Sequence, residues 1–283
     1  MFLSLSARLL VNVEALNMVE SIGNVMRHRR APITVPTEEG YILTYVPVVS
    51  GECLAHIYQA WIAEIAKKRG LPVCEYCGKE IFVKHGALTL FGGLEWEQEL
   101  KKRISSRGSR YNPEDVELEI IKNCVIEDIG GFLMPERIPV KRTAKFQVGY
   151  MIPAYEQVRE AALEAQFHVR YAPTEEQHAI YYVELGSALY TFQFNLDVDG
   201  IAYTSMLGKK PVLDDEERFK EERRRRVRVA IEALAHMMEN RFFGAKLTRF
   251  NPVTEIRSLL VTCLLYTSPS PRDLSTSRMP SSA

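Results

Sequence analysis

Hydrophobic and polar positions alternate with a period of two at the start of the chain, which predicts a half-buried β-strand. Its apolar face carries Leu3, Leu5, Ala7, Leu9, Val11 and Val13, and its other face carries mostly Ser4, Ser6, Arg8, Asn12 and Glu14. Two further strands are predicted on either side of residues 36–40, whose composition is typical of a hairpin turn.

Apolar residues then recur at helical spacing in two long segments. The first is predicted to begin after Ser50, an N-cap, and to end at Gly70. The second begins at an acidic run, residues 214–217, as the helix dipole favours. Its predicted core stripe is Phe219, Val227, Ala230, Ile231, Leu234 and Met238. The arginines at 223–226 are expected on its solvated face. A shorter helix is predicted to begin at Asn112.

The second half of the chain predicts a strand hairpin, residues 164–171 and 179–197, and a last strand at 254–262. In the first of these, apolar Ala165, Phe167, Val169 and Tyr171 alternate with Gln166, His168 and Arg170. Residues 72–155 are less regular and are interpreted as insertions, with a projecting hairpin or arm after Gly130 and Gly131. Without insertions the order is strand, helix, strand, strand, helix, strand. This predicts an α+β fold, the ferredoxin-like arrangement also used by RNA-recognition domains.

Composition limits the kinds of partner. The 283 residues include 36 Lys and Arg against 36 Asp and Glu, so any affinity for nucleic acid must come from local patches. Five cysteines, scattered and not preceded by a secretory signal, favour a reducing cytoplasm. No run approaches the ~18 apolar residues of a membrane span, so we expect a cytoplasmic protein without a membrane partner.

One polar, glycine-containing loop, residues 17–33, ends in Arg27, His28, Arg29 and Arg30. This run is either a solvated surface patch or a site for an anion. The helix start at Ser50 and Gly51 offers further N–H groups to an anion. Other candidate ligand residues are Lys141, Arg142, Lys145, Gln166, His168, Arg170, Lys246 and Arg249, the last two lying between Phe243 and Phe250. Cations mixed with aromatic residues are typical of proteins that follow a nucleic-acid backbone.

The sequence supports metal binding and catalysis less well than it supports binding of an anion. Cys74 and Cys77 form half of a zinc ribbon, but zinc requires about four ligands. His85 is the nearest addition, and Cys53 or Cys124 would have to come from elsewhere in the fold. We therefore expect no metal or other cofactor, with Cys74 and Cys77 as weak candidates.

His28, His56 and His168 could each act as a general base toward a ribose hydroxyl. No Ser/His/Asp set or paired carboxylates accompany them, so we expect a protein that is not an enzyme.

Several motifs resemble, in order and spacing, the DevR-type CRISPR-associated autoregulator family of the RAMP superfamily. These are the crRNA-binding backbone subunits of type I-A-like Cascade complexes. The motifs are NMVESIGNVMRHRRAPI, YVPVVSGECLAHIYQAWIAEIAKKRGLPV, IGGFL, VKRTAKFQVGYMIPA, LEAQFHVRY, LGSALYTFQF and FGAKLTRFNP. The resemblance covers about residues 1–262.

The resemblance implies an RNA-recognition-like palm over residues 1–262, with an insertion at about 72–155 that includes a thumb at about 128–150. Copies would polymerise along a crRNA spacer, with other Cascade subunits and target DNA bound through the guide. Phosphates would be held by the 17–30 loop and the Ser50 helix start, and the thumb would supply Leu133 or Met134 as an apolar wedge. The expected RNA-binding residues beyond the cations named above are Asn17, Ser21, Asn24 and His56.

Two other functions stay open: a RAMP-type endonuclease that processes CRISPR RNA through a histidine, and a DNA-binding autoregulator. Residues 263–283 are rich in Ser and Pro and lack periodicity. We expect them to be a disordered, non-native tail on a chain that lacks the family's further C-terminal segment.

Overall fold

The computed structural model describes residues 1–86, 98–99, 102, 112–135, 138–170, 179–205, 209–239 and 246–264. The predictions for Tyr171, for Phe243 and for residues 265–283 concern positions outside these ranges.

Twelve strands and five α-helices are assigned within the described ranges. The strands are β1 (Phe2–Glu14), β2 (Met18–Ile22), β3 (Val25–His28), β4 (Arg30–Thr37), β5 (Gly40–Pro47), β6 (Phe132–Met134), β7 (Val140–Arg142), β8 (Phe146–Val148), β9 (Ile152–Pro153), β10 (Ala162–Arg170), β11 (Ala179–Asp197) and β12 (Val253–Leu264). The helices are α1 (Gly51–Lys68), α2 (Glu75–Gly78), α3 (Pro113–Asn123), α4 (Val125–Gly130) and α5 (Glu216–Glu239).

The main sheet is organised around β11. Along one edge, β11 pairs antiparallel with β1 and, near its own start, parallel with β3. Along its other edge it pairs antiparallel with β10, β9 and β8 in turn. β12 adds to the far edge of β1, which gives the order β12-β1-β11-β10 across the sheet.

The alternation predicted for the first strand is confirmed along most of β1. The buried pairs across β1 and β11 are Leu5–Phe194, Ala7–Phe192, Leu9–Tyr190 and Val11–Ala188. The prediction is wrong at Val13, which is 53% exposed and has a φ of 58°. The register shifts between Val11 and Glu14, and this bulge turns Glu14 into the core.

The hairpin at residues 36–40 and both capped helices are confirmed. β4 and β5 pair antiparallel around that turn. The Ser50 hydroxyl oxygen accepts the Cys53 N–H at 3.3 Å, and Gly70 follows α1 with a φ of 64°. The Asn112 side chain caps α3 at 2.9 Å.

Helices α1 and α5 pack together over the sheet, and Tyr58 joins the layers. Its hydroxyl donates to the Ala230 carbonyl on α5 at 2.9 Å, and its ring packs edge-on against Phe146 and Phe194.

The fold, with helices packed on a largely antiparallel sheet, is α+β, as predicted. Among the described helices, none is both long enough and apolar enough to cross a membrane.

The face of α5 that meets the core differs from the prediction. Ile231 is 40% exposed, and Val227 and Met238 are only half-buried. The buried residues of α5 are Phe219, Arg226, Val229, Ala230, Ala233, Leu234 and Met237. Arg226, expected on the solvated face, is buried because its guanidinium pairs with Asp128 inside the protein.

The apolar face predicted for β10 is not part of the core. Phe167 is 55% exposed and Val169 is 38% exposed. The reason is that β10 pairs with the outer half of β11, and the part of β10 from Glu164 onward lies beyond the stretch of β11 that pairs with β1. The Phe167 ring packs edge-on against its cross-strand neighbour Tyr182, with centroids 5.6 Å apart.

The predicted last strand is confirmed as β12, which pairs with β1 along its length. β12 continues through Cys263 to Leu264, so these two residues belong to the strand although the tail was predicted to begin at Cys263. Its side chains are exposed on both faces except for the half-buried Thr262.

The hairpin predicted after Gly131 is present as β6 and β7, but its two strands pack against the body. Phe132, Met134 and Val140 are all buried. The side chains that alternate with these face outward, so the hairpin is half-buried and does not project freely.

A buried charge network holds this hairpin to the helices. Arg142 on β7 donates to the Asp128 carboxylate on α4 and, at 2.6 Å, to Glu117 on α3. Asp128 also accepts from Arg226 on α5 at 2.9 Å, and Arg226 donates to Glu222 at 2.9 Å. Charged groups can be buried here because each is paired and hydrogen-bonded.

Replacing Asp128 with asparagine should destabilise the fold, because two buried guanidiniums then lose the charge that they share. We expect the free energy of unfolding, measured by urea denaturation, to fall by about 3–5 kcal/mol. Asp214 is exposed just before α5 and is a matched control. Asp214→Asn should change the free energy by less than about 0.5 kcal/mol. Equally small effects for both variants would contradict the role given to Asp128.

Candidate functional site

The loop predicted at residues 17–33 contains a short hairpin. β2 and β3 pair antiparallel, and Gly23 in the turn has a φ of 60°. Because β3 also pairs with the start of β11, the hairpin is anchored on the main sheet. Ser21 and Asn24 are exposed at its tip.

Glu14 and His28 form the buried support of this hairpin. Glu14 Oε1 lies 2.6 Å from His28 Nε2 and accepts the Tyr190 hydroxyl at 2.9 Å. His28 Nδ1 lies 2.8 Å from the Arg29 carbonyl oxygen. Burial lowers the pKa of His28, but Glu14, the Arg29 carbonyl and Glu184 outweigh it, and the net pKa is raised above 6.5.

Two exposed arginines of the basic run share one carboxylate. Arg30 Nη2 lies 2.8 Å and Arg27 Nε lies 3.9 Å from Glu184 Oε1, and Glu184 also accepts the His28 backbone N–H. The side chains of Arg27 and Arg30 are 37% and 40% exposed. Arg29 is half-buried, and its Nε has no hydrogen-bond partner among the described residues. The run therefore keeps an excess of positive charge.

A cleft of ≈ 320 Å³ lies between the tip of this hairpin and the outer end of the sheet. It is lined by Ser21, Gly23, Asn24, Met26, Arg170, Tyr181, Tyr182 and Lys246. The predicted ligand residues among these are Ser21, Asn24, Arg170 and Lys246. Ser21, Asn24 and Arg170 meet because the β2–β3 hairpin and β10 lie on opposite edges of the same part of β11. Lys246 reaches the cleft from the segment that precedes β12.

Aromatic rings surround the cations at this cleft. The guanidinium carbon of Arg170 lies 5.3 Å from the centre of the Tyr181 ring, within the range of a cation–π interaction. The His168 ring stacks on Tyr181 at 5.2 Å and meets Phe250 edge-on at 5.6 Å. Fixed rings beside cations provide flat surfaces for stacking.

The charges at the cleft are not balanced within the described part of the chain. Partial burial lowers the pKa of Lys246, and nearby Arg170 and Arg249 lower it further although Tyr181 acts in the opposite direction. Among the described residues, no carboxylate lies within ion-pair distance of Arg170, Lys246 or Arg249. In a chain of zero net charge, this local excess favours an anionic ligand.

At the helix start predicted as an anion site, the N–H groups of Ser50 and Cys53 already have partners within the protein. The Ser50 N–H donates to Asn17 Oδ1 at 2.8 Å, and both residues are buried. Gly51 lies close to the backbone of β8, since a Cβ there would come within 2.9 Å of the Val148 carbonyl oxygen. Asn17 and Ser50 thus hold the start of α1 in place.

The five predicted thumb residues differ in how far they are exposed. Leu133 and Lys141 pair across β6 and β7 and are exposed, while Met134 and Arg142 are buried. Lys145 is half-buried, and burial followed by the charge of Arg142 lowers its pKa. Leu133 and Lys141 are therefore the most accessible of the five.

Two more predicted residues lie outside the group that lines the cleft. Gln166 is exposed on β10. His56 is exposed on α1, with its ring edge-on to Phe82 at 5.0 Å.

The candidate metal ligands Cys74 and Cys77 are buried, and so is Cys124, which the sequence left open as a third ligand. Their sulfurs and a carboxylate oxygen of Glu127 all lie within 4.8 Å of one another. Cys53, the other alternative, instead has its sulfur 3.7 Å from the Leu16 carbonyl oxygen.

Sequence reasoning did not single out Tyr181, Tyr182, Glu184 or a supporting role for Glu14. Two adjacent tyrosines opening a strand, opposite a strand that carries cations, could have indicated stacking positions. The two glutamates gave no signal, because an acidic residue in a strand is usually solvated.

Comparison with known proteins places the chain in a family. The family model described as CRISPR-associated negative auto-regulator DevR/Csa2 matches residues 5–276, which extends beyond the limit of resemblance at residue 262. The chain therefore belongs to the DevR/Csa2 family.

Two similar relatives come from Saccharolobus solfataricus. "CRISPR-associated aCascade subunit Cas7/Csa2 2" is 43% identical over 261 residues, covering 91% of this chain and 78% of that protein. "CRISPR-associated protein Cas7/Csa2 1" is 38% identical over 269 residues, covering 92% and 78%.

Among solved structures, a chain of a "Type IV-B CRISPR Complex" has a TM-score of 0.44 and 10% identity, covering 96% of this chain and 95% of that one. That likeness is too distant to define the fold.

The raised pKa of His28 predicts a pH-dependent contribution to stability. Protonated His28 stabilises the fold fully below its unfolded pKa of about 6.5, and this contribution is lost as pH rises through the raised folded pKa. Thermal unfolding should therefore show the advantage of wild type over His28→Gln shrinking across that interval. His56→Gln, at an exposed histidine, should leave the pH profile unchanged. A constant difference between wild type and His28→Gln would contradict the assignment.

Proposed function

We propose that this chain is a non-catalytic backbone subunit of a CRISPR Cascade effector complex, which binds crRNA and presents its spacer for pairing with target DNA. Membership of the DevR/Csa2 family and the aCascade subunit among the relatives support the assignment to such a complex. The unbalanced cations at the cleft support RNA as the ligand.

The cleft is the main support for this proposal, because it combines positive charge with an aromatic ring, the two properties needed to bind a single-stranded nucleic acid. Arg170, Lys246 and Arg249 supply positive charge without acidic partners in the described residues, and Tyr181 supplies a ring beside them. Phosphates would lie at the cations and a base would stack beside the Tyr181 ring. The exposed sides of Arg27 and Arg30 would continue the phosphate path along the β2–β3 hairpin.

The proposal includes a ferredoxin-like palm. The order β12-β1-β11-β10, with all neighbours antiparallel, supports it, because β1, β10, β11 and β12 then take the places of the first to fourth strands. Helix α1 lies between the first and second of these strands, and α5 between the third and fourth. This is the sequence of elements in a double βαβ unit.

The β6–β7 hairpin is proposed as part of the thumb that meets a neighbouring copy. Its exposed Leu133, 52% accessible, fits the part of an apolar wedge better than the buried Met134.

The β4–β5 ribbon exposes Tyr41, Leu43 and Tyr45 and is a second surface for a neighbouring copy or another subunit. Such a subunit would recognise backbone shape and leave sequence to base pairing.

Removing the cleft cations should weaken binding to all RNA sequences alike. Each phosphate contact with a single strand contributes roughly 0.7 to the slope of log affinity against log salt, so Arg170→Ala with Lys246→Ala should flatten it by about 1.4. Fluorescence anisotropy of the purified chain with labelled single-stranded RNA measures this slope.

Arg224→Ala is the control, because Arg224 is exposed and paired with Glu221 at 2.8 Å. It should leave the slope unchanged. An unchanged slope in the Arg170/Lys246 double variant, or preference for duplex DNA at matched salt, would overturn the proposed binding mode.

Tyr181 should contribute through stacking. Tyr181→Ala should lower RNA affinity by about 1–3 kcal/mol, the usual contribution of one stacked base. Tyr181→Phe keeps the ring and should retain most of the affinity. Equal losses in the two variants would show that the hydroxyl, and not stacking, is responsible.

A further inference from the structure

A second site lies in the segment that follows α1, where Cys74 and Cys77 form a knuckle. Cys74 precedes the short helix α2, and its sulfur accepts the Cys77 N–H at 3.5 Å. The Gly78 N–H donates to the Cys74 carbonyl at 2.8 Å and closes the turn. Both sulfurs therefore sit on one tight turn and face the same interior space.

Residues from a distant part of the sequence complete the group. Cys124 lies between α3 and α4, and Glu127 is one turn further along α4. The two segments are tied together because the Val125 N–H donates to the Pro72 carbonyl at 2.9 Å. Glu127 Oε1 lies 3.8 Å from the Cys74 sulfur and 3.9 Å from the Cys77 sulfur.

We propose that the thiolates of Cys74, Cys77 and Cys124 and the carboxylate of Glu127 bind a structural zinc ion. The four ligand atoms lie within 4.8 Å of one another, and all four residues are buried. In a tetrahedral zinc site with these ligands, neighbouring ligand atoms are roughly 3.6–3.8 Å apart. Only small side-chain movements separate the present arrangement from that geometry.

The donor set identifies the class of metal. Soft thiolates favour zinc over magnesium or calcium, which prefer oxygen ligands. Four protein ligands in a buried site leave no position for a substrate, which is the mark of a structural zinc site. The proposal concerns stability and assembly of the fold and is independent of the RNA-binding proposal.

His85 and Lys84 supply the outer shell. His85 Nε2 lies 2.8 Å from Glu127 Oε2, the oxygen left over when Oε1 faces the sulfurs, and so orients the carboxylate. Three thiolates and one carboxylate exceed the charge of zinc by two. The ammonium of Lys84, which donates to the Gly130 carbonyl at 2.7 Å, lies near these ligands and offsets part of that excess.

Such a site would brace the hairpin that carries Leu133. The Leu133 N–H donates to the Lys84 carbonyl at 3.2 Å, directly beside the outer-shell residues. Zinc would therefore fix the 72–86 segment, α4 and β6 relative to one another.

Metal analysis of the full chain, purified without chelator, tests the proposal. We expect one zinc per chain by plasma mass spectrometry, and thiolate-to-metal charge-transfer absorption after replacement by Co²⁺. Cys77→Ser and Cys124→Ser should each lose the zinc and the absorption. Cys263→Ser changes an exposed cysteine on β12 and should keep both.

A measurement on wild type guards against variants that fail to fold. A chelator should lower the melting temperature of the wild-type chain, and added zinc should restore it. His85→Asn should weaken zinc binding roughly 10–100-fold without abolishing it. Wild-type protein that holds no zinc after supplementation, or that keeps the metal when Cys77 or Cys124 is replaced, would overturn the proposal.

Discussion

The Asp128 carboxylate, buried between two guanidiniums, is the constraint on which the rest of the arrangement depends. Arg142 comes from the β6–β7 hairpin and Arg226 from the long helix over the sheet, so one negative charge fixes a hairpin relative to a helix. A charge left unpaired in the protein interior is costly, so these three side chains hold their positions together. Charge pairing and apolar packing therefore act together to set the position of the hairpin.

Elements with a regular period could be predicted from the sequence. In β1 and β11 many residues support the same alternating pattern, and in α1 many residues support the same helical spacing, with a cap at its start. The inward face of α5 could not be predicted in the same way. In a run of four arginines nothing marks Arg226 as the one with an internal partner, because Asp128 lies 98 positions away in the sequence.

The sequence indicates which residues could bind a ligand better than it indicates which of them lie together in the fold. The sequence indicates Arg170 and Lys246 as cations near aromatic residues, and the family resemblance implies Asn24. Only the pairing of β3 and β10 with β11 brings Asn24 and Arg170 to the same cleft, beside Lys246. The bulge at Val13 was not visible in the alternation of β1. It depends on Gly186, where a Cβ would come within 2.5 Å of the Glu14 carboxylate that the bulge turns inward.

Strand β11 has 19 residues, so at about 3.3 Å per residue it extends for roughly 60 Å. Phe192 and Phe194 belong to the core at one end, and Tyr181 and Tyr182 reach the cleft at the other. The distance between core and cleft is thus set by the number of residues of β11 that separate the phenylalanines from the tyrosines. Losing a single residue between them would shorten that distance by one step and exchange the two tyrosines between the faces of the sheet.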